Sequence, residues 1–161
     1  MTYVEVLDGF SEDHGFSYED MIVDAAGIAF SVLRNKVPGL AEKVDFRLEW
    51  FPSDRDGLSG PVTDYMGQKY LLAIKPAGFE GLRDTPLRFT ELHLGYYARG
   101  FKNERKEERE RNLYVGLGLN LGEIYEAVTN DDRSLPSQAV RTGLEYIQVP
   151  YTYLPVEKTF R

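Results

Sequence analysis

The sequence predicts an α+β fold: a buried N-terminal helix, an antiparallel β-meander of four to five long strands, and short C-terminal helices. Three observations predict it. Residues 17–35 place apolar side chains at helical spacing. From Asp45 onward the apolar residues recur every second position, as on a pleated strand. Aromatic residues make up 13%, with eleven Tyr and nine Phe, which suits a sheet better than a helical bundle. At 161 residues one domain is expected, with a helical entry 1–40, a meander 45–121 and a mixed segment 122–161.

The helix is expected from Ser17, a natural N-cap with Asp20 three positions on, to Asn35, ahead of the stop Pro38-Gly39. Met21, Ile22, Ala25, Ala26, Ile28, Ala29, Phe30, Val32 and Leu33 cover well over half its circumference. Asp20, Asp24, Gly27 and Ser31 form a narrow polar stripe. Such a helix is buried on most sides, against protein or membrane.

Strands follow at 45–51, 69–75, 87–101 and 112–121. In the first, Phe46, Leu48 and Trp50 oppose Arg47 and Glu49. The third and fourth form a hairpin across the charged tip Lys102–Glu110. Leu113, Val115, Leu117, Leu119 and Leu121 share one face of the fourth strand, with Gly116 and Gly118 on the other, where glycine admits a close neighbour such as a helix or an aromatic ring. Gly122–Val128 and Ser137–Ile147 read as helices, Asn130–Asp132 as a turn, and Val149–Val156, with Pro150 and Pro155, as an edge strand or extended tail.

A net charge of −7 supplies no basic field for nucleic acid, so no nucleic-acid partner is expected. With no Cys and two His, no metal site and no cofactor is expected. Met1–Glu5 lacks a basic region followed by an apolar run, so no signal peptide is read there.

The apolar strand face needs a cover, since each fully buried Leu or Val contributes about 1.5–3 kcal/mol. The plainer expectation is the helices, giving a soluble layered domain. The alternative is lipid, with the chain forming a partial outer-membrane-type β-barrel; complete barrels need at least eight strands.

On the opposite face of the third strand, Glu91, His93, Tyr97 and Arg99 recur at even spacing, with Glu145 joining if its segment packs nearby. Glu, His and Arg so placed support acid–base chemistry or anion binding; the plainer reading is a solvated face with ion pairs. Asp20 and Asp24 are structural polar residues, too few for a hard cation alone. His14 lies in a polar turn. Met21, Ile22, Ala25, Phe30, Leu113, Leu117 and Leu119 are the candidate interaction residues.

Glu5–Ser11, Gly15–Asp20 and Asp24–Gly27 resemble the YfiM-like family of bacterial envelope proteins. Asp64-Tyr65-Met66-Gly67-Gln68-Lys69-Tyr70, Gly95–Gly100 and Leu117–Leu121 resemble its later stretches. Family members carry a hydrophobic N-terminal portion with an export or lipoprotein signal, which is missing here. The resemblance implies an envelope, membrane-proximal setting and no particular reaction.

The resulting expectation is a non-catalytic, membrane-proximal accessory or scaffold module in the bacterial cell envelope, with the cytoplasmic face as the alternative location. Its partners are a membrane surface or a membrane-protein complex, with a small apolar ligand as a further option. The competing reading is a hydrolase of lipid or cell-wall material built around His93.

Overall fold

A computed structural model describes residues 18–53, 60, 64–99, 110–130 and 132–160, with the side chains of 18–24 and 65 outside the described set. His14, the Ser17 cap and most of the charged tip 102–110 also fall outside it. The chain divides into two compact units, 1–41 and 42–161.

In the first unit, α1 spans Tyr18–Lys36. It ends where expected: Gly39 takes φ 73°, a left-handed conformation that glycine adopts without a Cβ penalty. The Arg34 guanidinium donates to the Ala41 carbonyl at 3.5 Å. The burial expected against protein or membrane is not supplied within this unit: Ile28, Val32 and Leu33 are all more than half exposed, and Ala25 is exposed too. Phe30 is half-buried.

The second unit is an α+β domain built on one open six-stranded sheet. After the short helix α2 (Leu40–Lys43), the strands are β1 (Val44–Trp50), β2 (Gln68–Ile74), β3 (Thr90–Arg99), β4 (Glu110–Leu119), β5 (Ile147–Gln148) and β6 (Tyr153–Phe160). Helix α3 (Glu80–Arg83) precedes β3, while α4 (Leu121–Thr129) and α5 (Leu135–Tyr146) follow β4. The spatial order is β5-β1-β2-β3-β4-β6, antiparallel except for the short parallel β5–β1 pair. Four strands fall within a few residues of their predicted bounds. The ambiguous C-terminal segment becomes the edge strand β6, where Pro155, lacking an N–H, sits at the margin. Asn120 caps α4 by accepting from the Glu123 amide at 3.1 Å, and Asn130 ends it at φ 52°.

Strand register sorts the side chains into two faces of opposite character. On one, cross-strand rows run Val44–Ile74–Leu92–Leu117–Leu154 and Phe46–Leu72–Leu94–Val115–Val156. The next row is Leu48–Tyr70–Tyr96–Leu113–Lys158, and beyond it lie Trp50 beside Gln68 and Arg111 beside Phe160. This face turns outward: Leu113, Val115 and Leu117 are at least half exposed.

The other face is the interior, and it is polar. Asp45, Arg47, Glu49, Glu91, His93 and Asn112 are buried there, around Leu71, Ala73, Tyr114 and Tyr153. The expectation that helices cover the apolar strand face is therefore corrected. The sheet curls over its polar face instead. The Lys69 ammonium reaches both the Tyr153 hydroxyl of β6 at 3.2 Å and Glu49 of β1 at 3.3 Å, two residues that four strand spacings would hold about 19 Å apart in a flat sheet. Only four residues join β5 at one margin to β6 at the other, and the Phe51 and Tyr151 rings meet edge-on at 5.7 Å.

Glycine makes the curl feasible. A Cβ on Gly95 would run into the Tyr114 ring, and one on Gly118 would lie 2.5 Å from His93 Cε1. The expected close neighbours of these strand glycines are thus ring side chains lying flat on the inner face.

Candidate functional site

The interior is organised by Arg47, which β1 places on the inner face between Asp45 and Glu49. Its two terminal nitrogens each donate at 2.8 Å to one oxygen of Glu91, forming a fork across β2. One also donates to Asp45 at 2.7 Å, and the other to Gln148 Oε1 at 3.1 Å. Lys75 completes the Asp45 carboxylate at 2.8 Å. His93 Nε2 lies 3.0 Å from Glu91. Glu91 and His93 are both fully buried. The cluster ties β1, β3 and β5 together, with Lys75 just past the end of β2; it is a buried ion network in which Arg47 Nε and His93 Nδ1 find no hydrogen-bond partner among the described residues.

A second polar cluster lies further along the strands. The Lys69 ammonium sits 5.1–5.9 Å from the ring centroids of Tyr97, Tyr153 and Tyr114. It pairs with Glu49 at 3.3 Å and donates to the Tyr153 hydroxyl at 3.2 Å. This cluster borders a cavity of about 650 Å³ whose walls include Glu49, Met66, Lys69, Arg99, Tyr151 and Tyr153. Phe51, Pro52, Pro150 and Pro155 also line the cavity, so its walls are mostly apolar, with Arg99 and the Lys69–Glu49 pair as their charged groups.

The four residues that share one strand face are therefore split between two places. Glu91 and His93 belong to the closed ion network, and neither lines the cavity. Tyr97 and Arg99 lie toward the far end of β3, with the Arg99 guanidinium 4.8 Å from the Tyr97 ring centroid and the Tyr97 hydroxyl donating to Glu157 at 2.9 Å. Glu145 lies half-buried in α5. Sequence reasoning missed Arg47, Asp45 and Lys69 as partners. The signal was present in the alternation of β1, where a paired Arg and Glu share a face opposite Phe46 and Trp50.

The stretch Asp64–Tyr70 is a structural device. Asp64 accepts from the Ser53 amide at 2.7 Å, from the Ser53 hydroxyl, and from the Gly67 amide at 3.1 Å. The Ser53 bonds hold its carboxyl below the ordinary 3.8. A Cβ on Gly67 would strike Asp64 and the Phe51 carbonyl, so the turn requires glycine.

The candidate interaction residues Leu113, Leu117 and Leu119 are all exposed on the outward face. Met21, Ile22, Asp20 and Asp24 belong to α1, with side chains outside the described set. Among the described residues no three His, Asp or Glu side chains converge as metal ligands. Also among them, no helix is long and apolar enough to cross a membrane.

A family model described as "Predicted periplasmic lipoprotein (DUF2279)" matches residues 1–36. No curated protein and no solved structure matches the chain. Residues 1–36 are thus similar to an envelope lipoprotein-like family, and the match does not single out the YfiM-like proteins within that setting.

Proposed function

We propose that this chain is a non-catalytic, membrane-associated module of the bacterial envelope, acting as an accessory or scaffold part of a larger membrane-protein assembly. One observation carries the proposal: the sheet is polar inside and apolar outside. A soluble domain leaves few contiguous apolar patches beyond a few hundred Å². Here the exposed leucines and valines run unbroken from β3 through β4 to β6. The likeness of residues 1–36 to envelope lipoproteins supports the same setting. Enclosure of Glu91 and His93 denies a substrate the access that acid–base catalysis needs.

Co-flotation tests the proposal. The purified full chain, freed of detergent in the presence of phosphatidylethanolamine/phosphatidylglycerol vesicles, is expected to float with them. It should aggregate when the detergent is removed without lipid. A monodisperse monomer in detergent-free buffer that stays at the bottom of the gradient would overturn the proposal.

A further inference from the structure

We infer that the strands stand across the hydrocarbon layer of a bilayer, as a section of barrel wall, with the Trp50 end at the lipid headgroups. The inference rests on the membrane association proposed above and specifies depth and orientation.

Three features favour acyl chains over a protein as the occupant of the outward face. The first is the grading of the rows. Two rows hold only aliphatic and Phe side chains, the next introduces Tyr70, Tyr96 and Lys158, and the last positions carry half-buried Trp50 and exposed Arg111, with Gln68 buried beside Trp50. An apolar band bordered by Trp, Tyr and basic residues matches the change from hydrocarbon to headgroup. A protein partner imposes no such ordering by depth.

The second is length. Strands β3 and β4 have ten residues each, so each extends for about 34 Å, or about 24 Å along the membrane normal at a 45° tilt. A strand that spans a bilayer at that tilt has about 9–11 residues.

The third is shape. Because the sheet curls over its polar side, the apolar face is convex and continuous across five strands. Fluid acyl chains conform to a convex wall, whereas a protein would have to wrap around it. The interior completes the match: Arg47 and Lys75 compensate the charges of Asp45 and Glu91, and its glycines admit flat rings.

Six strands are fewer than the eight of the smallest barrels, and a sheet edge does not persist unpaired in lipid. Further strands of the assembly therefore pair with the outer edge of β6 and with β1 outside its short pairing to β5.

The test measures depth. The chain has one Trp and no Cys, so Trp50 is a native probe and single-Cys labels are unambiguous. The full chain is reconstituted into phosphatidylethanolamine/phosphatidylglycerol vesicles containing lipids brominated near the headgroup or deep in the acyl chain. Trp50 of the unmodified chain should be quenched best by the shallow bromines. Fluorophores on Leu94→Cys and Val115→Cys should be quenched at least twofold better by the deep bromines, and one on Arg111→Cys by the shallow ones. A label on Thr159→Cys, on the inner face, should be quenched least.

One shallow depth for Trp50 and for the labels at 94, 115 and 111 would mean that the sheet lies flat on the surface. That result overturns this inference and leaves membrane association standing. Deep quenching of Trp50 together with shallow quenching at 94 and 115 would overturn the orientation. Failure of the unmodified chain to float would overturn both proposals.

Discussion

Replacing Arg47 by Met should be among the most destabilising single changes available in this chain. The side chain is 4% exposed and makes four charge-assisted or amide hydrogen bonds, to both Glu91 oxygens, to Asp45 and to Gln148. Methionine keeps much of the volume and removes the charge. Asp45 retains Lys75, but Glu91, fully buried, keeps only the neighbouring His93 among the side chains of this cluster. Breaking a buried pair by removing one partner costs about 3–5 kcal/mol, because the other charge stays behind without solvent. Removing both charges, in Arg47→Met/Glu91→Gln, should recover at least about 1 kcal/mol of that loss, since a desolvated charge no longer remains. Urea unfolding followed by Trp50 fluorescence, in detergent micelles, gives the three free energies needed. A single-variant cost below about 1 kcal/mol, or a double variant as unstable as the sum of its singles, would refute the view that charge compensation holds this interior together.

Other expectations are more local. Gly95→Ala forces a methyl into the Tyr114 ring and should cost about 1–3 kcal/mol, whereas Gly143→Ala in α5 meets nothing within 4 Å and should stabilise by about 0.5–1 kcal/mol; thermal melts distinguish them. The folded-state pKa of Asp64 lies below its ordinary 3.8, so its contribution is fully present above that value and is lost as the pH falls through the folded value. Acid titration of stability should therefore be less steep in Asp64→Asn than in the parent chain. On the outward face, Val115→Arg should lower the proportion of chain that floats with vesicles, consistent with about 2–4 kcal/mol for a midplane cation.

Much of the secondary structure was legible because alternation is a local property. The β3–β4 hairpin is announced by apolar residues at every second position from Leu113 to Leu119 opposite Asn112, Gly116 and Gly118. The end of α1 is announced by Pro38-Gly39, and the end of α4 by Asn130. The polar site was only half legible. Glu91 and His93 could be assigned to one strand face, but Arg47 is 44 residues from Glu91 in sequence, and no local pattern names it as the partner. Tyr97 and Arg99 share that face, yet the rise along a strand carries them away from the pair.

What the sequence determined by itself is that each strand has an apolar and a polar face, and where the strands and helices stop. Only the tertiary structure decided which face turns inward. A period of two states that the faces differ; it is symmetric with respect to inside and outside. The asymmetry comes from three-dimensional facts: the curl that brings Tyr153 to Glu49, the glycines that let Tyr114 and His93 lie flat, and the Arg47 fork that satisfies the buried carboxylates. Burial of charge is tolerable because these partners converge: Arg47 and Glu91 meet across β2, while Tyr153 of β6 comes near Glu49 of β1 only through the curl of the open sheet.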